Sequence, residues 1–322
     1  MPGYLFNRIV QIVMVLGIMS FVIYGLIGLM PGDPIDLMIS ADPDLTSEDA
    51  ERLYRLYGLD QPIITRYGNW LQAFLSGDLG YSRLYGKPVL AAIEPAFLNT
   101  LKLLGLSFIL SIVIGICTGV WASSRPYTVT DYSINFIAFA GISIPSFWLA
   151  LLLIIFFSVI LGVLPAGGIG DVHSAGGWWD SAKYLVLPVA SLTIASVGGH
   201  TRYMRAAMME VLRQDFIRTA RAKGLSRWQT LYRHAFRNAM IPVVTIIALD
   251  FGFLFSGALI TETVFGYPGM GKLIYDSIMG NDFNLALATL LLATSITLFG
   301  NLCADIAYGA LDPRIRLRGK SP

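Results

Sequence analysis

Charge is scarce in this sequence. Of its 322 residues only 14% are Asp, Glu, Lys or Arg, while 55% are hydrophobic, and the mean hydropathy is +0.64. A soluble globular domain carries about 25% charged residues, so the composition excludes one and makes lipid the solvent. Cysteine is nearly absent: Cys117 and Cys303 are the two, both inside apolar runs. That excludes a disulfide framework and a thiolate metal site and leaves both as small packing residues. The three histidines, His173, His200 and His234, are scattered over an outer loop, the end of an apolar run and a basic segment. No HExxH, nucleophile elbow or carboxylate pair accompanies them, so the chain reads as a non-enzyme with no metal site. A clear internal repeat is also missing, which argues against a secondary transporter built from related halves.

What is present is length without charge. One hydrocarbon thickness takes about 20 helical residues, and six runs qualify, near residues 9–30, 103–122, 132–161, 184–201, 239–260 and 283–308. The first sits behind Arg8, is too long for the apolar region of a cleaved leader and lacks a small-residue cleavage pattern before Pro31. It reads as an uncleaved signal anchor. The expected fold is all-α and polytopic, with six transmembrane helices, a small helical extracytoplasmic insertion after the first and a cytoplasmic loop between the fourth and fifth. The chain divides into 1–30 (anchor), 31–97 (extracytoplasmic cap), 98–309 (membrane core, with its loop at 206–238) and 310–322 (tail). With the N-terminus inside, 15 Lys and Arg residues fall on the cytoplasmic side and seven opposite, while ten acidic residues lie between Asp33 and Glu94. The positive-inside rule therefore places both termini in the cytoplasm. The net charge of +2 gives no support for nucleic-acid binding, since the cations serve topology.

Nine of the 23 Lys and Arg residues crowd into Arg202 to Pro242, against only Glu210 and Asp215. Asp215 is placed to cap a short helix through Lys223, and Gly224 stands where a left-handed residue would end it. Ser226 with Gln229 forms the capping-box pattern of a second helix. On it Trp228, Leu231, Tyr232 and Ala235 recur at i, i+3, i+4 and i+7, predicting one apolar face. Read from composition alone this is a solvated basic loop; read from its grammar it is a helix pair made to be gripped.

The residues Arg218-Thr219-Ala220-Arg221-Ala222-Lys223-Gly224, followed by His234-Ala-Phe-Arg237-Asn238-Ala-Met-Ile-Pro242, closely resemble the coupling motif of ABC importer permeases in its dipeptide and oligopeptide form. Other ABC importers begin this motif Glu-Ala-Ala, whereas Thr219, Ala220 and Arg221 stand here, as in the peptide branch. The resemblance extends through Gly58-Leu-Asp-Gln-Pro62, Tyr67, Trp70, Gly77-Asp-Leu-Gly-Tyr-Ser82, Asn99-Thr-Leu-Lys-Leu103, Glu262 to Lys272 and the tail Leu311 to Arg316, nearly the whole chain. It implies the B-type permease subunit of a bacterial peptide importer in the cytoplasmic membrane. The implied partners are a second, C-type permease, two cytoplasmic ATPases that hold ATP and Mg²⁺, and a periplasmic or lipid-anchored substrate-binding protein. No cofactor is expected in this chain itself. The resemblance makes the 31–97 segment a lid or docking surface. It leaves the cargo open between peptides and nickel, glutathione or another small solute. A stand-alone channel or secondary transporter is the rival outside the family.

Three residues are candidates for the translocation path. Ser143 and Ser146 flank Pro145, which removes a backbone donor and bends the third span; such a helix either lines a path or packs through its small residues. Asp250 lies mid-span, where an ionisable group meets either substrate charge or a neighbouring helix, with no second intramembrane charge evident. In the 31–97 segment, Thr46 opens one expected helix and residues 63–75 form another with Tyr67, Trp70, Leu71 and Phe74 as its stripe. Finally, Gly266 to Lys272 fits G-x-x-x-x-G-K, but Leu273 occupies the place of the Mg²⁺-binding hydroxyl and the segment follows a membrane helix instead of a strand. No nucleotide site is implied.

Overall fold

The computed structural model describes residues 2–29, 52, 60–170, 177–253 and 258–311. The expected helix opening at Thr46 and the loop residue His173 lie outside the described residues. The chain falls into two compact units: Met1–Asn99 with Gly269–Ile296, and Thr100–Pro268 with Thr297–Pro322.

In the first unit, α1 (Pro2–Ile27) is mostly apolar, with Asn7, Arg8 and Gln11 confined to its first half, and α2 (Ile63–Leu75) lies where the sequence places it. Its aromatic stripe packs on α1. Tyr67 stands edge-on to Phe21 at 5.2 Å and Trp70 lies 5.5 Å from Tyr24, while the Tyr67 and Ser20 hydroxyls meet at 2.7 Å. A two-residue antiparallel ribbon follows, β1 (Tyr81–Ser82) with β2 (Lys87–Pro88). The ribbon leads into α3 (Val89–Ser124), which continues into the second unit. Two helices complete this unit, α11 (Met270–Met279) and the start of α12 (Phe283–Leu311). Asp282 joins them to the ribbon. Its carboxylate accepts from Ser82 Oγ at 2.6 Å and Leu84 N at 2.9 Å, and it caps α12 by accepting from Leu285 N at 3.2 Å.

The second unit is built on α6 (Gly177–Val211). Around it stand α3, α4 (Val129–Ser143), α5 (Ser146–Leu153) with a π-type continuation (Ile154–Ile160), α9 (Arg237–Phe253) and α10 (Ala258–Val264). Backbones approach closely because small residues occupy the crossings. A Cβ on Gly115 would lie 2.4 Å from His200 Cβ, and one on Gly198 would lie 2.3 Å from the Ala138 carbonyl oxygen. Helix α7 (Asp215–Ala222), α8 (Arg227–Gln229) and a second π-type turn (Thr230–Phe236) form the basic loop between α6 and α9.

The chain is all-α apart from the short ribbon, and polytopic. Among the described residues, four helices are long and apolar enough to cross a membrane: Phe6–Ile27, Val89–Ser124, Asp180–Val211 and Phe283–Ile306. The expected third span is broken: α4 and the α5 segment meet at 102°. Pro145 cannot donate a backbone bond, and Ile144 before it is extended at φ −83°, ψ 123°. The expected fifth span is represented by α9 and α10, separated by residues 254–257, which lie outside the described residues. Cys117 is exposed on α3, so the expected packing role does not fit it within this chain.

Candidate functional site

The basic loop is a defined structure. Helix α7 begins one residue earlier than a cap at Asp215 requires: Gln214 is the cap residue, and Asp215 occupies the first turn, where its charge complements the helix dipole. It also accepts from Arg218 Nη1 at 3.4 Å. The helix ends in a Schellman motif, with Gly224 N donating to Arg221 O at 3.0 Å and Leu225 N to Ala220 O at 3.3 Å. Gly224 has φ +80°, and a Cβ there would meet nothing within 4 Å, so backbone conformation alone demands glycine. The capping box is also formed: Gln229 N donates to Ser226 Oγ at 3.3 Å, and Ser226 N to Gln229 Oε1 at 3.0 Å.

Apolar contacts hold this loop against the ends of α3, α6 and α9. Ile217, Leu231 and Ala235 are buried with Val120, Met204, Met208, Ala239 and Val243, and complete burial of a side chain such as Ile217 is worth about 1.5–3 kcal/mol. The expected single apolar face is not what forms. Leu231 and Ala235 point inward with Thr230, whereas Trp228 and Tyr232 are 62% and 55% exposed and stack on one another at 5.6 Å and 13°. The cause is the π-type winding from Thr230 to Phe236, which widens the turn and departs from the 3.6-residue period behind the expectation. An exposed aromatic pair beside cations has the composition of a protein-binding hot spot. The sequence contained its residues but assigned them to the wrong side.

Among the expected coupling residues, Ala220 is buried under the loop, while Arg218 and Thr219 before it and Arg221, Ala222, Lys223 and Gly224 after it are exposed. His234, Asn238 and Pro242 follow at i, i+4, i+8 along the π turn and α9, with Asn238 Nδ2 donating to His234 O at 2.7 Å and Arg237 exposed beside them. Pro242 lies inside α9.

An ion pair that sequence reading missed joins α4 to α6 beside the loop. Asp131, 1% exposed, accepts from Arg205 Nε and Nη2 at 2.6 Å each. It also accepts from Asn135 Nδ2 at 2.8 Å and from Tyr127 N at 2.9 Å. The last bond holds Tyr127 at φ 61°, a conformation bulky residues avoid. Asp131 and Arg205 stand 74 positions apart, each just outside the apolar core of a predicted span, so nothing local paired them.

The path candidates are dispersed. Ser143 Oγ donates to Phe139 O at 2.8 Å in its own helix, Ser146 opens α5, and neither bonds to Asp250 among the described residues. Asp250 has a partner, contrary to the expectation that no second ionisable group lies nearby. His200 Nε2 stands 3.4 Å from its Oδ2. The histidine lies within α6, because that helix runs ten residues beyond the end of the predicted span, and its side chain is 5% exposed against 45% for Asp250. A second buried acid, Glu262, accepts from Thr100 Oγ1 at 2.5 Å. Burial first, then the Glu262 charge, pushes the Tyr267 hydroxyl up to about 12.

Lys272 of the G-x-x-x-x-G-K string meets Asp276 Oδ2 at 2.5 Å, one turn along α11, and Leu273 is buried. We expect Lys272→Ala to leave ATP hydrolysis by the assembled complex near wild type; loss of nucleotide binding of the size seen for a phosphate-loop lysine would contradict this.

Comparison with known proteins gives one consistent answer. Residues 111–317 match the family described as binding-protein-dependent transport system inner membrane component, and residues 1–101 match its N-terminal counterpart. The oligopeptide transport system permease protein AppB of Bacillus subtilis (strain 168) is 40% identical over 319 residues, 98% of this chain and 99% of its own. The dipeptide transport system permease protein DppB of Alkalihalophilus pseudofirmus is 34% identical over 336 residues, 98% of this chain and 100% of its own. Among solved structures, an inward-facing MetNI methionine ABC transporter aligns with TM-score 0.55 at 19% identity, over 69% of this chain and 97% of that one. At that identity the likeness speaks for the fold. Matched over residues 1–101 and 111–317, and along nearly the full length of its peptide-permease relatives, the chain belongs to the family of binding-protein-dependent transport system inner membrane components.

Proposed function

We propose that this chain is one of two permease subunits of an ATP-driven importer that carries dipeptides or oligopeptides across the bacterial cytoplasmic membrane. The observation that carries the reading is the basic loop: two short helices locked by a Schellman motif and a capping box, presenting a stacked Trp228–Tyr232 pair. In this reading the loop seats in a cytoplasmic ATPase. ATP and Mg²⁺ belong to two such ATPases, and a second permease completes the path. A substrate-binding protein delivers the cargo on the far side. Closure of the ATPases displaces the loop, and because Ile217 and Leu231 are buried against α3 and α6, the displacement passes to the spans as rigid-body rocking. The chain is then a lever and half a tunnel, with no reaction of its own. Both termini lie in the cytoplasm under the positive-inside rule.

Peptide as cargo is supported by the full-length peptide-permease relatives. The test is uptake of a labelled tripeptide by proteoliposomes holding the assembled complex and its binding protein. Accumulation should require ATP on the loop side, and accumulation driven by an ion gradient without ATP would contradict the proposal.

Ser143, Ser146 and Asp250 remain the path candidates. For Asp250→Asn we expect uptake close to wild type. The amide keeps an oxygen beside His200 Nε2, which stands 3.4 Å from the carboxylate, consistent with a group that packs α9 beside α6 and does not meet the cargo. A large loss of uptake at normal membrane levels would instead assign Asp250 to substrate charge.

A further inference from the structure

A cavity of about 620 Å³ opens between the α3–α4 turn and the basic loop. It is lined by three arginines, Arg213, Arg221 and Arg227, together with Ser124, Tyr127 and Thr230, and among the described residues no carboxylate lines it. The nearby acids are engaged elsewhere. Asp131 is held by Arg205 and Asp215 lies 3.4 Å from Arg218, while Glu210 lines a smaller adjoining cavity that shares Tyr127, Met209 and Arg213 with this one. Three guanidinium groups around one space whose lining holds no carboxylate repel one another unless an anion is shared between them.

The arginines are set in place. Arg227 Nη2 donates to the Ser124 carbonyl at the end of α3, and Arg213 Nη2 lies 3.4 Å from the Tyr127 hydroxyl. Tyr127 itself is kept at φ 61°, and strain of that kind persists where the surroundings enforce it and gathers at binding sites. Thr230 adds an independent observation. It is 2% exposed, lines the cavity, and its Oγ1 has no hydrogen-bond partner among the described residues, which leaves a buried hydroxyl whose donor is open to a bound group.

The surface near the cavity has the character of a membrane interface. Tyr127 of its lining is 64% exposed, and Trp121 in the last turn of α3 and Val129 at the start of α4 are 57% and 81% exposed; tryptophan and tyrosine collect at headgroup depth. The cavity also has an apolar wall, formed in part by Met209 and Leu212. We propose that it is a binding site for the phosphate of an anionic glycerophospholipid, held by Arg213, Arg221 and Arg227 with Thr230 as hydroxyl donor. The bound headgroup ties the α3–α4 turn to the basic loop. Basic pockets between spans take lipid headgroups by the same physics. The proposal concerns residues of this chain alone and does not rest on the transport reading.

The test uses the full chain, purified from membranes with whatever subunits accompany it, delipidated, and titrated with phosphatidylglycerol, phosphatidylcholine or inorganic phosphate while native mass spectrometry counts bound molecules. Phosphatidylglycerol should bind at least about tenfold more tightly than either of the others, and Arg213→Gln or Thr230→Val should each weaken it by about tenfold, as loss of a charge-assisted or buried hydrogen bond predicts. Thr230→Val is the discriminating variant, because removing an idle buried hydroxyl would leave lipid binding untouched. Equal binding by wild type and both variants would overturn the site. Phosphate binding as tight as phosphatidylglycerol would reassign it to free phosphate and overturn the lipid proposal. So would an acidic segment of an accompanying subunit cross-linked into the cavity with no lipid present.

Discussion

Gly224→Val is expected to leave the chain in the membrane at normal levels and to remove most of its transport. At φ +80° a β-branched residue is strongly disfavoured, and the cost is on the order of 1–3 kcal/mol of local strain. No neighbour lies within 4 Å of the position a Cβ would take, so the effect is confined to the backbone and cannot be relieved by repacking. That strain is too small to prevent insertion of long apolar helices. It is enough to open the Schellman motif, in which Gly224 N and Leu225 N close the end of α7, and so to change the angle between α7 and the turn carrying Trp228. Gly224→Asn should retain much of the function, since asparagine tolerates the left-handed region. The measurement is uptake per assembled complex with ATPase subunits quantified in the same membranes. Wild-type uptake and ATPase retention in Gly224→Val would reduce the loop to a solvated connector.

Asp131→Ala acts on the other side of the same apparatus and should lower stability instead of uncoupling. Its carboxylate is buried and accepts four hydrogen bonds, two of them from Arg205. Removing one partner of such a pair costs about 3–5 kcal/mol. The lower end applies, because the Arg205 side chain keeps 25% of its exposure and can be partly rehydrated. The Tyr127 turn also loses the acceptor that holds it. We expect reduced accumulation in the membrane and earlier thermal inactivation in detergent, with Asp131→Asn intermediate because an amide oxygen still accepts from Tyr127 N. Accumulation and thermal behaviour equal to wild type in Asp131→Ala would show that the α3–α4 turn is held by other means.

The features legible in the sequence are those whose cause is local. The end of α7 at Gly224, the capping box of Ser226 and Gln229, and the bounds of α2 each depend on residues within one or two turns, and each is found. Hydropathy locates where lipid stops but not where a helix stops. The apolar run of α6 ends near Thr201 while the helix continues to Val211, which moves His200 from a span end to the inside of a helix and brings it to Asp250. Proline at 145 signals a missing donor, yet the 102° turn follows from how α4 and α5 pack on α6, information that is not local. The outward turn of Trp228 and Tyr232 was illegible for a different reason: a helical wheel assumes one period, and the segment from Thr230 to Phe236 uses another. Asp131 and Arg205 escaped because pairing between two helices is a matter of tertiary approach, and the partners stand 74 positions apart.

The central claim, that the basic loop is the seat of an ATPase and this chain one part of a larger importer, is tested most directly by what accompanies the chain when it is withdrawn gently from its native membrane. The account predicts stoichiometric recovery of a second permease and of ATPase subunits, with cross-links from Trp228 or Tyr232 reaching the ATPase. A monodisperse homo-oligomer of this chain that transports on its own, with Trp228 and Tyr232 facing solvent, would contradict it.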